Sequence, residues 1–249
     1  MTKRGRMLAL AGLVVAAGVL AAVPAAAQQF NIDLGSGANS STTRIVQLIA
    51  LTTVLSVAPS ILVMVTSFTR MIVVLGFLRQ ALGTQSAPPN MVMVSLALFL
   101  TAFVMAPTFQ QCWSQGIQPY MDGHIDETEA FDATMKPLHA FMIKHARERD
   151  VELFMNLSHT AQVAKPDDVP LQVLVPAFMI SELRRAFEMG FLIFLPFVII
   201  DMVVASVLMS MGMMMIPPAM ISLPFKLIFF VLVDGWYMVV GSLVKSFGT

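Results

Sequence analysis

The chain has 249 residues, 57% of them hydrophobic and only 12% charged, with a mean hydropathy of +0.79. A soluble domain carries about 25% charged residues, so a fully water-facing globule is excluded and a membrane-embedded chain is implied. The 15 basic and 15 acidic residues cancel, which removes any reason to expect nucleic acid as a partner, and the single cysteine, Cys112, excludes an internal disulfide or a thiolate metal cluster.

In chain order, residues 1–27 read as a signal peptide. Lys3, Arg4 and Arg6 form a positive region ahead of the apolar run LALAGLVVAAGVLAAV, and Pro24 precedes a small-residue site formed by Ala25 and Ala27 ahead of Gln28. The alternative is a retained first anchor. Residues 28–43 are then a periplasmic tail.

Residues 44–113 hold two stretches, 45–65 and 91–109, each long enough to cross a hydrocarbon core as helix. Their Val, Ile and Phe content would suit strands, but a lipid-embedded segment must satisfy its backbone internally, which selects helix. Between them the loop 66–90 carries Arg70 and Arg79 and no acid, as a cytoplasm-side loop should.

The segment 114–188 holds 12 of the 15 acids and 7 of the 15 bases. It reads as a helical periplasmic segment. Pro137 is placed to begin a helix, and Leu138, Phe141, Met142 and Ala146 recur on one face. Val151, Phe154 and Met155 continue in a second short piece, and AKPDDVP (164–170) links onward. Pro176 is then expected to open a helix running unbroken into the third apolar stretch, with Glu182–Arg185 and Arg184–Glu188 pairs on a solvated face.

Residues 189–249 form a second apolar hairpin from the stretches 191–211 and 223–244, with a turn at 214–222 on the inside. Its tip, MSMGMMMIPP (209–218), puts five methionines into seven positions before two prolines. Three ionisable residues interrupt the apolar runs: Asp201, Lys226 and Asp234. Counted from the expected turn, both acids sit at one depth and Lys226 about 12 Å lower than Asp234. Lys226 is therefore expected to meet an acid of a neighbouring subunit, or to snorkel to the interface while Asp201 stays neutral.

Catalytic signatures are missing. His124, His139, His145 and His159 form no HExxH and read as ordinary solvated histidines, and there is no Walker motif, G-x-S-x-G or phosphate loop. Neither an enzyme, a metal site nor a cofactor is expected.

Four long motifs, FTRMIVVLGFLRQALGTQSAPPN (68–90), VPAFMISELRRAFEMGF (175–191), LPFVIIDMVVASVLMSMGMMMIPP (195–218) and ISLPFKLIFFVLVDGW (221–236), closely resemble the flagellar biosynthetic protein FliP family. The resemblance runs through essentially the whole chain after the leader, with departures at Arg185 and Glu188. It implies an all-α integral membrane protein that assembles as a helical pentamer with FliQ and FliR, in company with FliO, FlhB and FlhA. The assembly forms the flagellar type III export gate in the bacterial inner membrane, at the flagellar basal body, through which unfolded subunits pass. It also implies that the hairpins are tilted and partly lifted from the membrane plane.

Carried over residue by residue, the resemblance places Met211, Met213, Met214 and Met215 at the closed constriction, with Gly212 permitting close backbone approach and Pro217 and Pro218 stopping the helix. Glu182, Asp201 and Lys226 fall where the family carries charges that matter for assembly, and Arg70 and Arg79 fall in the cytoplasm-side motif. Three rivals stay open: the matching injectisome subunit, a small-solute or ion transporter using Asp201 and Asp234 as a proton relay, and a membrane-embedded enzyme.

Overall fold

The computed structural model describes residues 38–84, 86–159, 166–213 and 215–248. The expected leader with Ala25, Ala27 and Gln28, most of the tail 28–43, part of the linker 164–170, and Met214 lie outside the described residues. The described chain divides into two compact units between Val54 and Leu55. In the first, residues 38–54 are helical.

The described residues are overwhelmingly helical and contain no strand, as expected from the apolar runs. Helix α1 (Ala38–Val65) ends where Thr66 and Ser67 turn the chain into α2 (Phe68–Leu82). Thr69 donates through Oγ1 to the Val63 carbonyl, which ties that turn together. Thus residues 68–82, expected within a loop, form a helix of four turns, and only 83–89 connect it onward. Arg70 and Arg79 give this stretch the look of a loop, but Met71, Val74, Leu75, Leu78 and Leu82 form a buried i, i+3, i+4 stripe, which makes it a helix.

Helix α3 (Asn90–Cys112) continues through a π turn (Trp113–Ile117) into α4 (Gln118–Met121). Gly116 in that turn lies against the backbone of Ala130 and Thr134 on α5 (Glu127–His145). Helix α5 begins ten residues before Pro137, because Asp126 caps it by accepting from the Glu129 amide at 2.8 Å. Pro137 therefore lies inside a helix whose buried face carries Ala130, Leu138, Met142 and His145. Helix α6 (Glu148–Leu157) is the expected second short piece.

Helix α7 (Leu171–Ser210) is unbroken for 40 residues and starts after Pro170, five residues before Pro176. An interior proline costs a helix about 3 kcal/mol. Here Val173, Leu174 and Phe178 on either side are buried in one cluster with Met142 and Met155, at about 1.5–3 kcal/mol for each large side chain. That burial outweighs the proline. Helices α8 (Pro218–Leu232) and α9 (Gly235–Lys245) replace the expected single stretch 223–244 and meet at a bend of 64°.

By length and composition, Asn90–Met121 and Leu171–Ser210 could each cross a membrane, or up to four spans exist if the bent pairs 48–65 and 218–245 each count as one. Outward faces such as Phe99 and Phe103 of α3 and Phe191, Leu192, Ile199 and Met202 of α7 are exposed and apolar. They suit lipid or neighbouring protein rather than water.

The organising contact is α2 against α7. The two helices run in the same direction: Arg70 meets Glu182, Phe77 packs edge-on to Phe187 and Phe194 at 5.0 and 6.2 Å between centroids, and Leu78 clusters with Phe197. Gly190 makes this approach possible, since a β-carbon there would overlap the Phe77 ring. A core of Met71, Val74 and Leu75 from α2, Met93, Ala97 and Leu100 from α3, Ala186 from α7 and Leu243 beyond the bend closes around them.

Candidate functional site

Along the α2–α7 seam, the chain buries charges that its sequence scatters. Arg70 and Glu182 are 1% and 0% exposed. The Arg70 guanidinium donates from Nε to Oε2 of Glu182 at 2.8 Å and from Nη2 to Oε1, a forked pair. Nη1 donates to the Ser246 carbonyl at 3.1 Å and to its Oγ at 2.8 Å, and Cζ lies 3.7 Å above the Phe247 ring. Four groups, from α7 and from the residues after α9, thus converge on one side chain of α2.

Two expectations fall with this geometry. Glu182 is not on a solvated face and does not bond Arg185, because both carboxylate oxygens are taken by Arg70. The Arg184–Glu188 pair does form, at 2.9 Å and in the open. The stretch 66–90, expected on the cytoplasm side, and the segment 114–188, expected in the periplasm, meet directly at Arg70 and Glu182. Segments 68–82 and 171–190 belong to one bundle, with α5 and α6 packed on the same core.

A second polar couple lies further along α7. Lys226 donates to Asp201 Oδ2 at 2.7 Å, and Ser222, one helical turn before Lys226, donates to Oδ1 at 2.5 Å. Lys226 was not expected to reach an acid of its own hairpin, yet within this chain Asp201 is its partner. The reason is where the helices begin and end. Asp201 lies nine residues before the end of α7 and Lys226 eight residues after the start of α8, so both sit about 12–14 Å from the helix ends at the tip. Taking the turn as 214–222 displaced Lys226 by more than a helical turn. Snorkelling falls too, since the Lys226 side chain is 8% exposed and aimed at the Asp201 carboxylate.

Asp234 does not share the depth of Asp201. It is exposed at the α8–α9 bend with φ 51° and ψ 51°, a left-handed conformation few side chains adopt. Arg79 donates to Asn90 Oδ1, closing the 83–89 connection against the first residue of α3.

At the tip, α7 ends in a Schellman cap: the Gly212 amide donates to the Met209 carbonyl at 3.1 Å and the Met213 amide to the Leu208 carbonyl at 3.0 Å. Gly212 supplies the required positive φ, 74°. Its space is open, with nothing within 4 Å of an added β-carbon, so within this chain its use is backbone handedness rather than close approach. Pro217 and Pro218 do not stop α7. They start α8, as its N-cap and first residue, where a missing N–H costs nothing. Met209, Met211 and Met215 project outward, Met215 at 98% exposure. Met211 and Met213 also line an apolar groove of ≈ 640 Å³ with Val207, Leu208, Ile221 and Phe225.

Sequence reading missed Ser222, Ser246 and Phe247. The spacing of Ser222 and Lys226 (i, i+4) could have flagged a shared face; nothing local marks Ser246 or Phe247 as partners of Arg70.

The profile of the FliP family matches residues 51–243. The flagellar biosynthetic protein FliP of Caulobacter vibrioides is 59% identical over 237 residues, covering 94% of this chain and 89% of the relative. The protein of the same name from Bacillus subtilis is 56% identical over 202 residues, covering 81% and 91%, and that from Aquifex aeolicus 50% identical over 204 residues, covering 81% and 85%. The matched stretch takes in both polar couples and the methionine tip, and on that likeness the chain belongs to the FliP family.

Proposed function

We propose that this chain is a conducting subunit of the flagellar type III export gate, present in several copies around a common axis in the bacterial inner membrane. Unfolded flagellar subunits would pass along that axis, with FliQ and FliR completing the gate and FliO, FlhB and FlhA acting beside it. The chain carries out no chemical step of its own. Relatives named flagellar biosynthetic protein FliP across distant bacteria support the flagellar setting over an injectisome.

The observation that carries the reading is the tip. Met211, Met213 and Met215 extend from a cap whose backbone is set by Gly212 on one side and Pro218 on the other, and the chain leaves them largely uncovered. Unbranched thioethers repack around irregular shapes. Several copies meeting at an axis would form a seal that excludes ions at rest and deforms around a passing chain. Met214 belongs to the same proposed ring.

Replacing Met213–Met215 by serine in the assembled gate tests this. Resting ion conductance should rise while export of flagellar subunits persists; unchanged conductance would remove the seal. Restored motility in a strain deleted for its own copy would separate flagellar from injectisome use. The proton-relay transporter is disfavoured, because Asp201 is engaged by Lys226 and Ser222 and Asp234 sits at a helix bend rather than along a polar path.

A further inference from the structure

The residues after α9 pack into the bundle rather than leaving it. The Phe247 ring is buried between three groups: the Arg70 guanidinium over its face, the Phe141 ring stacked at 6.1 Å, and the His145 imidazole at 5.2 Å. His145 lies in the last turn of α5 and is itself buried, correcting its expected solvated state; its Nδ1 donates to the Phe141 carbonyl at 2.8 Å. An imidazole and a permanent cation therefore flank one phenyl ring inside the core.

We propose that Ser246–Phe247 form an acid-opened latch, in which a proton arriving on His145 drives Phe247 out from between His145 and Arg70 and uncovers the Arg70–Glu182 pair. The neutral imidazole suits this site and the imidazolium does not. Burial is the largest influence and holds His145 below the ordinary imidazole range; the Arg70 and Lys144 charges push the same way, against backbone contacts at Phe141 and Phe247 that favour charge. Among the described residues, the carboxylates of the packed elements are already engaged. Glu182 on α7 has both oxygens on Arg70, and Asp150 on α6 is held by Ser181 and Arg147. A second cation at this place gains most by admitting water, and the group that stands between the two cations is the Phe247 ring.

The sign follows from the direction of the shift. A histidine whose folded-state affinity for protons is lowered destabilises its native environment as pH falls, beginning at the ordinary imidazole range and levelling off below the folded value. The latch is therefore closed at neutral pH and opens on acidification.

Phe247 replaced site-specifically by 4-fluorophenylalanine in the full chain, with fluorine NMR from about pH 8 to about pH 5, reads the ring directly. One resonance shifted by the neighbouring rings is expected at neutral pH. A second, at the position of the free amino acid, should grow in acid, the ratio of the two rising about tenfold per pH unit on the acid arm, as for one proton. H145Q should keep the first resonance throughout, and K144Q, at an exposed site, should move the transition to higher pH. A single ring-shifted resonance persisting down to acid, the same second resonance in H145Q, or an unmoved transition in K144Q would each overturn the latch.

Discussion

Arg70 and Glu182, 112 residues apart, meet in a forked ion pair inside the bundle. Two desolvated charges are tolerated here because each of the arginine's three nitrogens has an acceptor: Glu182, the Ser246 carbonyl or the Ser246 hydroxyl. Removing one partner leaves the other charged and buried, at about 3–5 kcal/mol. E182A and R70A should both lower the thermal unfolding midpoint of the purified chain strongly. R70K should not rescue, since an ammonium cannot fork across both oxygens and both Ser246 acceptors. The double variant R70M/E182M should be milder than either single change.

The Asp201–Lys226 couple predicts coupling within one chain. In a double-mutant cycle of D201N and K226M, read by thermal unfolding of subunits held apart in detergent, the interaction should be about 1–2 kcal/mol. It is smaller than the buried pair because Asp201 is 38% exposed and partly screened. A coupling near zero in separated subunits, with a large one in the assembly, would restore the inter-subunit alternative.

Gly212 and Pro218 predict an asymmetric response at the tip. G212A forces a β-carbon into left-handed backbone and should cost about 1–2 kcal/mol, with G212N milder. P218A should change stability little, because the first helical position needs no N–H. Hydrogen exchange at the Gly212 and Met213 amides would show the cap opening in G212A alone.

Gly190 predicts a steric limit on the α2–α7 seam. G190A places a methyl on the Phe77 ring and should destabilise by about 1–3 kcal/mol unless the ring turns aside. Pairing it with F77L should recover most of the loss, measurable by the same thermal unfolding.

Asp126 predicts a cap that fails in acid. Hydrogen bonds from the Glu129 amide, then from Thr128, hold its carboxyl below the ordinary carboxylate range. A depressed carboxyl contributes stability that is present above its unfolded value and is lost as pH falls through the folded one. Exchange protection at the first turn of α5 should therefore drop in strong acid, and D126N, which retains the acceptor without the charge, should lose that acid step.

The membrane-like runs, the continuous helix into the third stretch, the Arg184–Glu188 pair and the short helix 148–157 were legible, because each is written in local spacing. The starts of α5 and α7 were not. Pro137 and Pro176 look like openings, while the true starts were set by the Asp126 cap and by burial of Val173 and Leu174, the latter visible only once Met142 and Met155 are in place. The polar couples were misjudged for two reasons. Arg70 and Glu182 are joined by packing, which leaves no periodic mark. Asp201 and Lys226 depended on where the hairpin turns, and a few residues of error there exceeded a helical turn. For the methionine tip, residue identity was plain, whereas the roles of Gly212 and Pro218 had to come from hydrogen bonds and φ.

The parallel seam between α2 and α7 also sets a timetable for biosynthesis. At about 5–20 residues per second, the carboxylate that neutralises Arg70 emerges about 6–22 s after the arginine, and Phe247 follows 65 residues later still. Throughout that interval the nascent chain carries an unmatched cation next to greasy helices already leaving the ribosome. A ribosomal pause before Glu182 would lengthen that interval.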